Sequence, residues 1–237
     1  MEIKDRVLAP EIIEAYKKLD TTEVADAINR FGYNTGMFGL NCIVSGTKVC
    51  GQAFTVLFGV CQGGFEGKMD YLDDVPAGNL MFNRAIDLAQ PGDVIVVDGG
   101  GYTERALCGE IMMSHAKKRG IAGFVINGCI RDVEAVSEME FPVYALGQNP
   151  NGPMKNGPGE INTPVVCGGM AIMPGDILVG DADGLVVIRP EDAKEVAEKA
   201  LKQNEAERNL LKIIDEGKWD RSNFAVTLEK MGCEIID

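Results

Sequence analysis

Histidine is all but missing from this chain: His115 is the only one in 237 residues. A Ser-His-Asp hydrolase would need that single helical imidazole to face a serine that nothing in the sequence marks, and no G-x-S-x-G turn occurs. Paired cysteines are missing too. The seven cysteines, Cys42, Cys50, Cys61, Cys108, Cys129, Cys167 and Cys233, form no C-x-x-C, which excludes a zinc knuckle and a dithiol redox motif and fits a reducing compartment. No G-x-x-x-x-G-K-[ST] loop is present, and "DGGGYTER" breaks the G-x-G-x-x-G spacing, so it reads as a turn after a strand rather than a nucleotide cradle. Positive charge is short. A formal net charge of -13 argues against a nucleic-acid partner, whose binding rests on Lys and Arg neutralising phosphates. No stretch approaches the roughly 18 apolar residues of a membrane span, and the charged start "MEIKDRVLAPEIIEAYKKLD" lacks the apolar core of a signal peptide. The expectation is a cytoplasmic protein with no membrane and no nucleic acid among its partners.

What is present is a 46% hydrophobic chain long enough to bury a full core. In "LDTTEVADAINRFG", Asp20 stands as cap with Glu23 three residues on. Val24, Ala27, Ile28 and Phe31 recur at helical spacing, and Gly32 is the stop. From Cys42 to about Gly63 the β-branched and aromatic residues broken by glycines predict two or three strands; "GNLMFNRAIDLAQ", from Gly78 to Gln90, suits a helix. Two passages echo each other, "PGDVIVVDGGG" from Pro91 and "PGDILVGDADGLVVI" from Pro174, each a Pro-Gly-Asp turn feeding a strand. Between them lie a helix from about Gly109 to Arg119, the strand "GFVING", and a strand near "FPVYAL". "GQNPNGPMKNGPGEINTP" reads as a long covering loop. From Arg189 to about Glu216 the chain is helical, with Pro190 in the first turn and Gly217 at the stop. Strands alternating with helices imply an α/β domain. We expect one domain over 1–237, with a C-terminal helical extension from about 190.

The most pointed stretch is "CGEIMMSHAKKRGIAGFVINGCIRD", residues 108–132. A helix opening at Gly109 and Glu110 leaves the backbone amides of Glu110, Ile111, Met112 and Met113 free to hold a carboxylate or phosphate. Arg131 and Asp132 follow the next strand, and α/β folds bring such loops together at strand ends. One cation and two carboxylates would then surround one bound anion. Equally open on spacing alone, Glu110 complements the helix dipole while Arg131 and Asp132 form a surface pair.

On the last helix, projected at about 100° per residue, Val196, Ala200, Leu211 and Ile214 share a stripe that includes Glu207, whereas Glu205 falls nearly opposite. A carboxylate on an apolar face needs a partner. Either that face ends short of Glu207, or the helix leaves the domain and carries Glu207 to a neighbouring subunit.

These passages, with "GQAFTV" and "TPVVCGGMAIMPGDILVGDADGLVVI", resemble the family of 4-hydroxy-4-methyl-2-oxoglutarate aldolases. Its members include pyruvate-releasing aldolases, oxaloacetate decarboxylases and the regulator of ribonuclease E activity A. The most specific signature is an acidic residue, twenty residues, then Arg-Asp, here Glu110, Arg131 and Asp132. The resemblance implies a swivelling β/β/α-type layered domain with N-terminal and long C-terminal helices, assembled as a homotrimer or hexamer. It implies Asp132 as the direct ligand of a divalent metal, Mg or Mn, with Glu110 holding water in the ion's shell. Arg131 would contact the 2-keto acid substrate and the oxygen that becomes negative, and the amides from Gly109 through Glu110 and Ile111 to Met112 would hold the pyruvyl carboxylate. Glu207 fits the glutamate that an adjacent protomer supplies. Two positions depart from the family pattern: Ala135 stands where an acidic residue is common, with Glu134 one step early, and Asn127 where Asp is frequent.

The chemistry agrees. Breaking the carbon–carbon bond of a 2-keto acid aldol leaves an enolate that needs an electron sink, either a lysine Schiff base or a metal. Lys117 and Lys118 lie on a polar helix face, not in the desolvated pocket that lowers a lysine pKa. Oxygen-only ligation suits Mg²⁺ or Mn²⁺. The expected activity is metal-dependent cleavage that releases pyruvate, with oxaloacetate decarboxylation through the same enolate. A non-catalytic regulator that binds a protein through its acidic surface, or a lyase for another keto acid, are the rival expectations.

Overall fold

A computed structural model describes residues 9–32, 34–58, 80–153 and 159–233. In chain order these form α1 (Pro10–Tyr16), α2 (Thr21–Asn29), β1 (Asn41–Cys42), β2 (Val49–Phe58), α3 (Leu80–Leu88), β3 (Asp93–Cys108), α4 (Glu110–Lys118), β4 (Gly123–Ile130), α5 (Val133–Glu138), β5 (Val143–Gln148), β6 (Gly159–Ile161), β7 (Val165–Cys167), β8 (Met170–Ile172), β9 (Ile177–Asp181), β10 (Gly184–Ile188), α6 (Ala193–Asp215) and α7 (Asn223–Lys230). The α/β class expected from the sequence is the one observed. The main sheet runs β1-β5-β4-β3-β2-β9-β10, with β6 on β2 and β7-β8 as a separate hairpin. Strands β2, β3, β4 and β5 are parallel neighbours, and the flanking pairs are antiparallel.

The alternation along β2 assigns the layers, because successive side chains point to opposite faces. Cys50, Phe54 and Val56 face the helices, packing with α1, α2 and α6 at one end of the sheet and with α3, α4 and α5 at the other; Val49 and Ala53 face the side that the β7-β8 hairpin covers. The result is a β/β/α layering. β4 is buried on both faces, as a central parallel strand must be. Phe124 on this strand packs between Phe82, tilted against it at a centroid distance of 5.0 Å, and Phe141, edge to face at 5.1 Å.

The echoed Pro-Gly-Asp turns share one hydrogen-bond plan. Asp93 accepts the Gln90 amide at 2.7 Å and Asp176 the Met173 amide at 2.8 Å, while Gly92 and Gly175 take φ of 87° and 90°, which only glycine adopts freely. Each turn starts a strand, β3 or β9, beside β2. At α2 the Glu23 carboxylate accepts the Asp20 amide at 3.0 Å, which is the predicted capping interaction.

Several boundaries differ from expectation. "DGGGYTER" is not a turn that ends a strand but the middle of a 16-residue β3. Register shifts at Tyr102 and Ala106 let the strand absorb the glycines as bulges. The final helix starts at Ala193 after Asp192, so Pro190 lies in the turn before it; Gly217 ends it at φ 65°, as expected. On that helix the structure decides between the two alternatives left open for the stripe. Val196 and Ala200 are buried on α1 and α2, but Leu211 is 61% exposed and Met231 on the following segment 76%. The apolar face against the body therefore ends short of Glu207. The predicted helix ends at Gly78 and Gln90 resolve to Leu80–Leu88, with 78–79 outside the described residues, as are 59–63 of the expected strand region and 154–158 of the expected loop. That loop also contributes β6 to the sheet. No helix among the described residues is long and apolar enough to cross a membrane.

Asp181, at the end of β9, is the polar anchor between sheet and helices. Its carboxylate accepts the Thr21 amide at 2.8 Å, the Thr21 hydroxyl at 2.6 Å and the Asp183 amide at 3.0 Å. Burial by itself pushes this carboxyl up, but these bonds outweigh it and hold it below the ordinary carboxylate range. A depressed carboxylate stabilises the fold above its unfolded pKa near 4 and ceases to do so as pH falls through the lower folded value. Asp181→Ala is expected to lose about 2–4 kcal/mol in urea unfolding at pH 7, through a buried charged hydrogen-bond acceptor removed from three donors. The gap to the parent protein should narrow at pH 3.

Candidate active site

The register of β3 and β4 explains the twenty-residue spacing. Cys108 pairs with Ile130, so the residues that leave the two strands next, Gly109 and Arg131, emerge side by side. The Arg131 amide donates to the Cys108 carbonyl at 3.1 Å, which closes the ladder at that level. One crossover, a nine-residue helix and an eight-residue strand, separates them. Asp132 then turns sharply, at φ 58° and ψ 37°, a left-handed conformation that costs a non-glycine residue about 1–2 kcal/mol. That turn aims its carboxylate back across the strand ends: Oδ2 accepts the Glu110 amide at 3.1 Å and lies 3.5 Å from Arg131 Nε.

Gly109 makes this approach feasible. A Cβ there would stand 2.3 Å from Asp132 Oδ2 and 2.8 Å from Arg131 Cγ. Arg131 is held on its other side by the segment after β5. Asn149 donates its amide to the Ile130 carbonyl at 2.9 Å, and a Cβ on Gly152 would meet Arg131 Nη1 at 3.0 Å. The guanidinium thus lies in a slot between two glycines. Its Nε is buried and has no hydrogen-bond partner. Asp132 offsets its charge at 3.5 Å but takes no hydrogen bond from it, and an anionic group brought to the site would supply one.

Of the four amides expected at the start of α4, two are already engaged: that of Glu110 with Asp132, and that of Met113 with the Gly109 carbonyl at 3.2 Å. Ile111 and Met112 occupy the first turn, where no intrahelical acceptor exists, and Ile111 is 82% exposed. Gly109, Glu110, Ile111, Met112, Arg131 and Asp132 therefore come together. Glu207 does not join them within one chain. It is exposed on α6, where its carboxylate accepts Gln203 Nε2 at 2.8 Å, and Gln203 also reaches Asp26 on α2. Glu205 is exposed as well.

Among the described residues no three His, Cys, Asp or Glu side chains gather into a metal cage. The donor set fits another kind of site: two acidic residues at one helix start, beside amides and an arginine, suit a hard ion of the Mg²⁺ type, which keeps water and uses one or two carboxylates. Cys108, directly before Gly109, is no nucleophile. Burial, and after it the Asp132 charge, pushes its thiol up. Lys117 and Lys118 are exposed, and Arg119 instead caps α3, donating to the Ile86 and Asp87 carbonyls at 2.8 Å.

A model of the RraA-like family, described as Aldolase/RraA, matches residues 21–187. The chain belongs to the RraA-like family. A relative from Halalkalibacterium halodurans named "Putative 4-hydroxy-4-methyl-2-oxoglutarate aldolase" is 36% identical over 194 residues, covering 81% of this chain and 83% of that protein. A protein from Ectopseudomonas mendocina with the same name is 41% identical over 109 residues, covering 46% of this chain and 67% of its own length. Among solved structures, Streptomyces coelicolor RraAS2, described as an unusual member of the RNase ES inhibitor RraA protein family, superposes with TM-score 0.71 at 26% identity. The superposition covers 85% of this chain and 96% of that one.

The departure at Asn127 has a physical account in this RraA-like chain. Its amide nitrogen donates to Asp98 Oδ1 at 3.1 Å and to the Val166 carbonyl at 3.3 Å, while Asp98 Oδ2 accepts the Val166 amide at 3.1 Å. A carboxylate at 127 would set acceptor against acceptor, so Asn is the residue this arrangement requires. The half-buried Ala135 has no comparable explanation in the structure. What sequence reasoning missed is the strap of residues 149–153. Its Gly, Asn and Pro marked a covering loop, but nothing marked what it covers.

Gly109→Ala is expected to cost about 1–3 kcal/mol by overpacking. Adding Asp132→Gly removes the struck oxygen and should recover about 1 kcal/mol in a double-mutant cycle read by chemical denaturation.

Proposed function

We propose that this chain is a divalent-metal-dependent lyase that cleaves 2-keto acids of the 4-hydroxy-4-methyl-2-oxoglutarate type with release of pyruvate, and that it decarboxylates oxaloacetate at the same site. The observation that carries the reading is the meeting of Asp132, Glu110 and the first turn of α4 around an Arg131 whose buried Nε makes no hydrogen bond. The aldolase names of relatives support it.

Asp132 would hold a Mg²⁺ or Mn²⁺ ion directly and Glu110 through water; when bound, the ion supplies the electron sink for the enolate. The chain's own groups supply the rest. The Ile111 and Met112 amides bind the carboxylate next to the keto group, aided by the positive end of the α4 dipole. Arg131 Nε donates to the keto oxygen, a bond that strengthens as that oxygen becomes negative. Glu110 or Glu207, acting through water, takes the proton from the C4 hydroxyl. The C3–C4 bond then breaks, C4 becomes a carbonyl, and the electron pair passes into the pyruvate enolate. Oxaloacetate reaches the same enolate by losing carbon dioxide, and in both cases a proton from water on the enolate's CH₂ carbon gives pyruvate.

Glu207 takes part only if a second copy supplies it, as in a trimer or hexamer. The exposed Leu211 and Met231 beyond the body, and the exposed Ile111 beside the site, are surfaces a neighbouring copy would cover. A second reading, a regulator of the ribonuclease E type that binds protein, draws on the likeness to RraAS2 and on the net charge of -13.

Coupled to lactate dehydrogenase, pyruvate release from 4-hydroxy-4-methyl-2-oxoglutarate and from oxaloacetate is expected with Mg²⁺ and not with EDTA. Asp132→Asn should lower kcat/KM by about 100-fold or more, since a direct metal ligand is weakened while the residue's size is kept. A folded protein silent on both substrates would shift the reading to another keto acid or to the regulator.

A further inference from the structure

The lyase reading leaves open how the far end of a substrate is recognised, and the bulged part of β3 bears on it. Between Asp98 and Ala106 the strand spends eight steps against two of β4, since Asp98, Tyr102 and Ala106 pair with Asn127, Gly128 and Cys129. Thr103, Glu104 and Arg105 are therefore pushed out of the ladder toward the 149–153 strap. The strap fastens them residue by residue. Asn149 donates to the Thr103 carbonyl at 3.0 Å, Asn151 donates to the Glu104 carbonyl at 3.3 Å and accepts the Ala106 amide at 2.8 Å, and Arg105 Nη1 donates to the Gly152 carbonyl at 3.1 Å.

Gly152 is also the residue whose missing Cβ makes room for Arg131 Nη1. Two guanidinium groups thus close on one glycine. Among the described residues one carboxylate, that of Asp132, pairs with these two guanidinium groups, which leaves a positive charge for an incoming anion. Among the described residues Arg105 forms no ion pair with a carboxylate; its side chain meets the Tyr102 hydroxyl, which donates to Glu104 at 3.2 Å. Arg131 pairs through Nε with the Asp132 carboxylate at 3.5 Å, but that Nε makes no hydrogen bond.

We propose that Arg105, held beside Arg131 by the Gly152 carbonyl, binds the second carboxylate of a dicarboxylic 2-keto acid and so sets the preference for two-carboxylate substrates. The proposal rests on the keto-acid reading of the Arg131 and Asp132 site. The α4 amides and Arg131 take the carboxylate and keto oxygen common to every 2-keto acid, and Arg105 reads what differs. Guanidinium is suited to this task because its planar fork donates twice to one carboxylate while a further N–H keeps the Gly152 bond.

The test is calorimetric binding, with Mg²⁺ present, of 2-oxoglutarate, which lacks the C4 hydroxyl and cannot undergo the aldol cleavage, against 2-oxobutanoate, which has one carboxylate. The parent protein is expected to prefer 2-oxoglutarate by roughly 10- to 100-fold, the range of a charge-assisted hydrogen bond. Arg105→Gln, which keeps a donor for the Gly152 carbonyl, and Arg105→Ala should bring that ratio near one and leave 2-oxobutanoate binding unchanged. A ratio unaltered in both variants, or no preference in the parent protein, overturns the assignment while the keto-acid reading stands. Failure of the folded parent protein to bind either acid overturns both.

Discussion

The hydrogen bond from the Arg131 amide to the Cys108 carbonyl is the constraint on which the site depends. It fixes two adjacent parallel strands at the same height, so that whatever follows one must lie against whatever follows the other. Every other feature is a response to that closeness. Gly109 has no side chain because Asp132 Oδ2 occupies the space, and Asp132 accepts a left-handed backbone so that its carboxylate can reach the Glu110 amide. Strain of this kind persists only when surrounding contacts over-determine it, and it gathers where function needs a fixed geometry.

The sheet holds this constraint in place. β4 is buried on both faces and flanked by β3 and β5, so it cannot shift without disturbing the Phe82, Phe124 and Phe141 cluster and the aliphatic rows around it. Dense interiors transmit such constraints because no void exists to absorb a displacement. At the other end of the sheet the Asp181 carboxylate ties α2 to β9 by charged hydrogen bonds rather than apolar contact. The two ends thus use different physics: packing beside the site, and a buried carboxylate with its donors under the helical flank.

The acidic residues divide by environment. Asp181 lies below the ordinary range because donors surround it, whereas Asp176, mainly through burial, lies above it despite its pairing with Arg189. Asp132 and Glu110 are exposed and remain available to a ligand. Solvent access, not residue type, thus separates the buried structural carboxylates from those of the candidate site.

Much of this was legible in the sequence because it is local. The Asp20 and Glu23 cap, the paired Pro-Gly-Asp turns, the helix opening at Glu110 and the strand of "GFVING" are each set by neighbours within a few residues, where propensity and hydrogen-bond chemistry act directly. The grouping of Glu110, Arg131 and Asp132 was legible too, since one crossover returns the chain to the same strand end. Two features were not. The glycines of "DGGGYTER" read as a turn but became bulges, because pairing with β4 on one side and the 149–153 strap on the other kept the segment in the sheet. The stripe on α6 left open whether the apolar face ends short of Glu207, because helical periodicity cannot say where a partner surface stops. That boundary, the slot that holds Arg131 and the approach of Arg105 to Gly152 are set by contacts between segments distant in the chain, which only the folded sheet brings together.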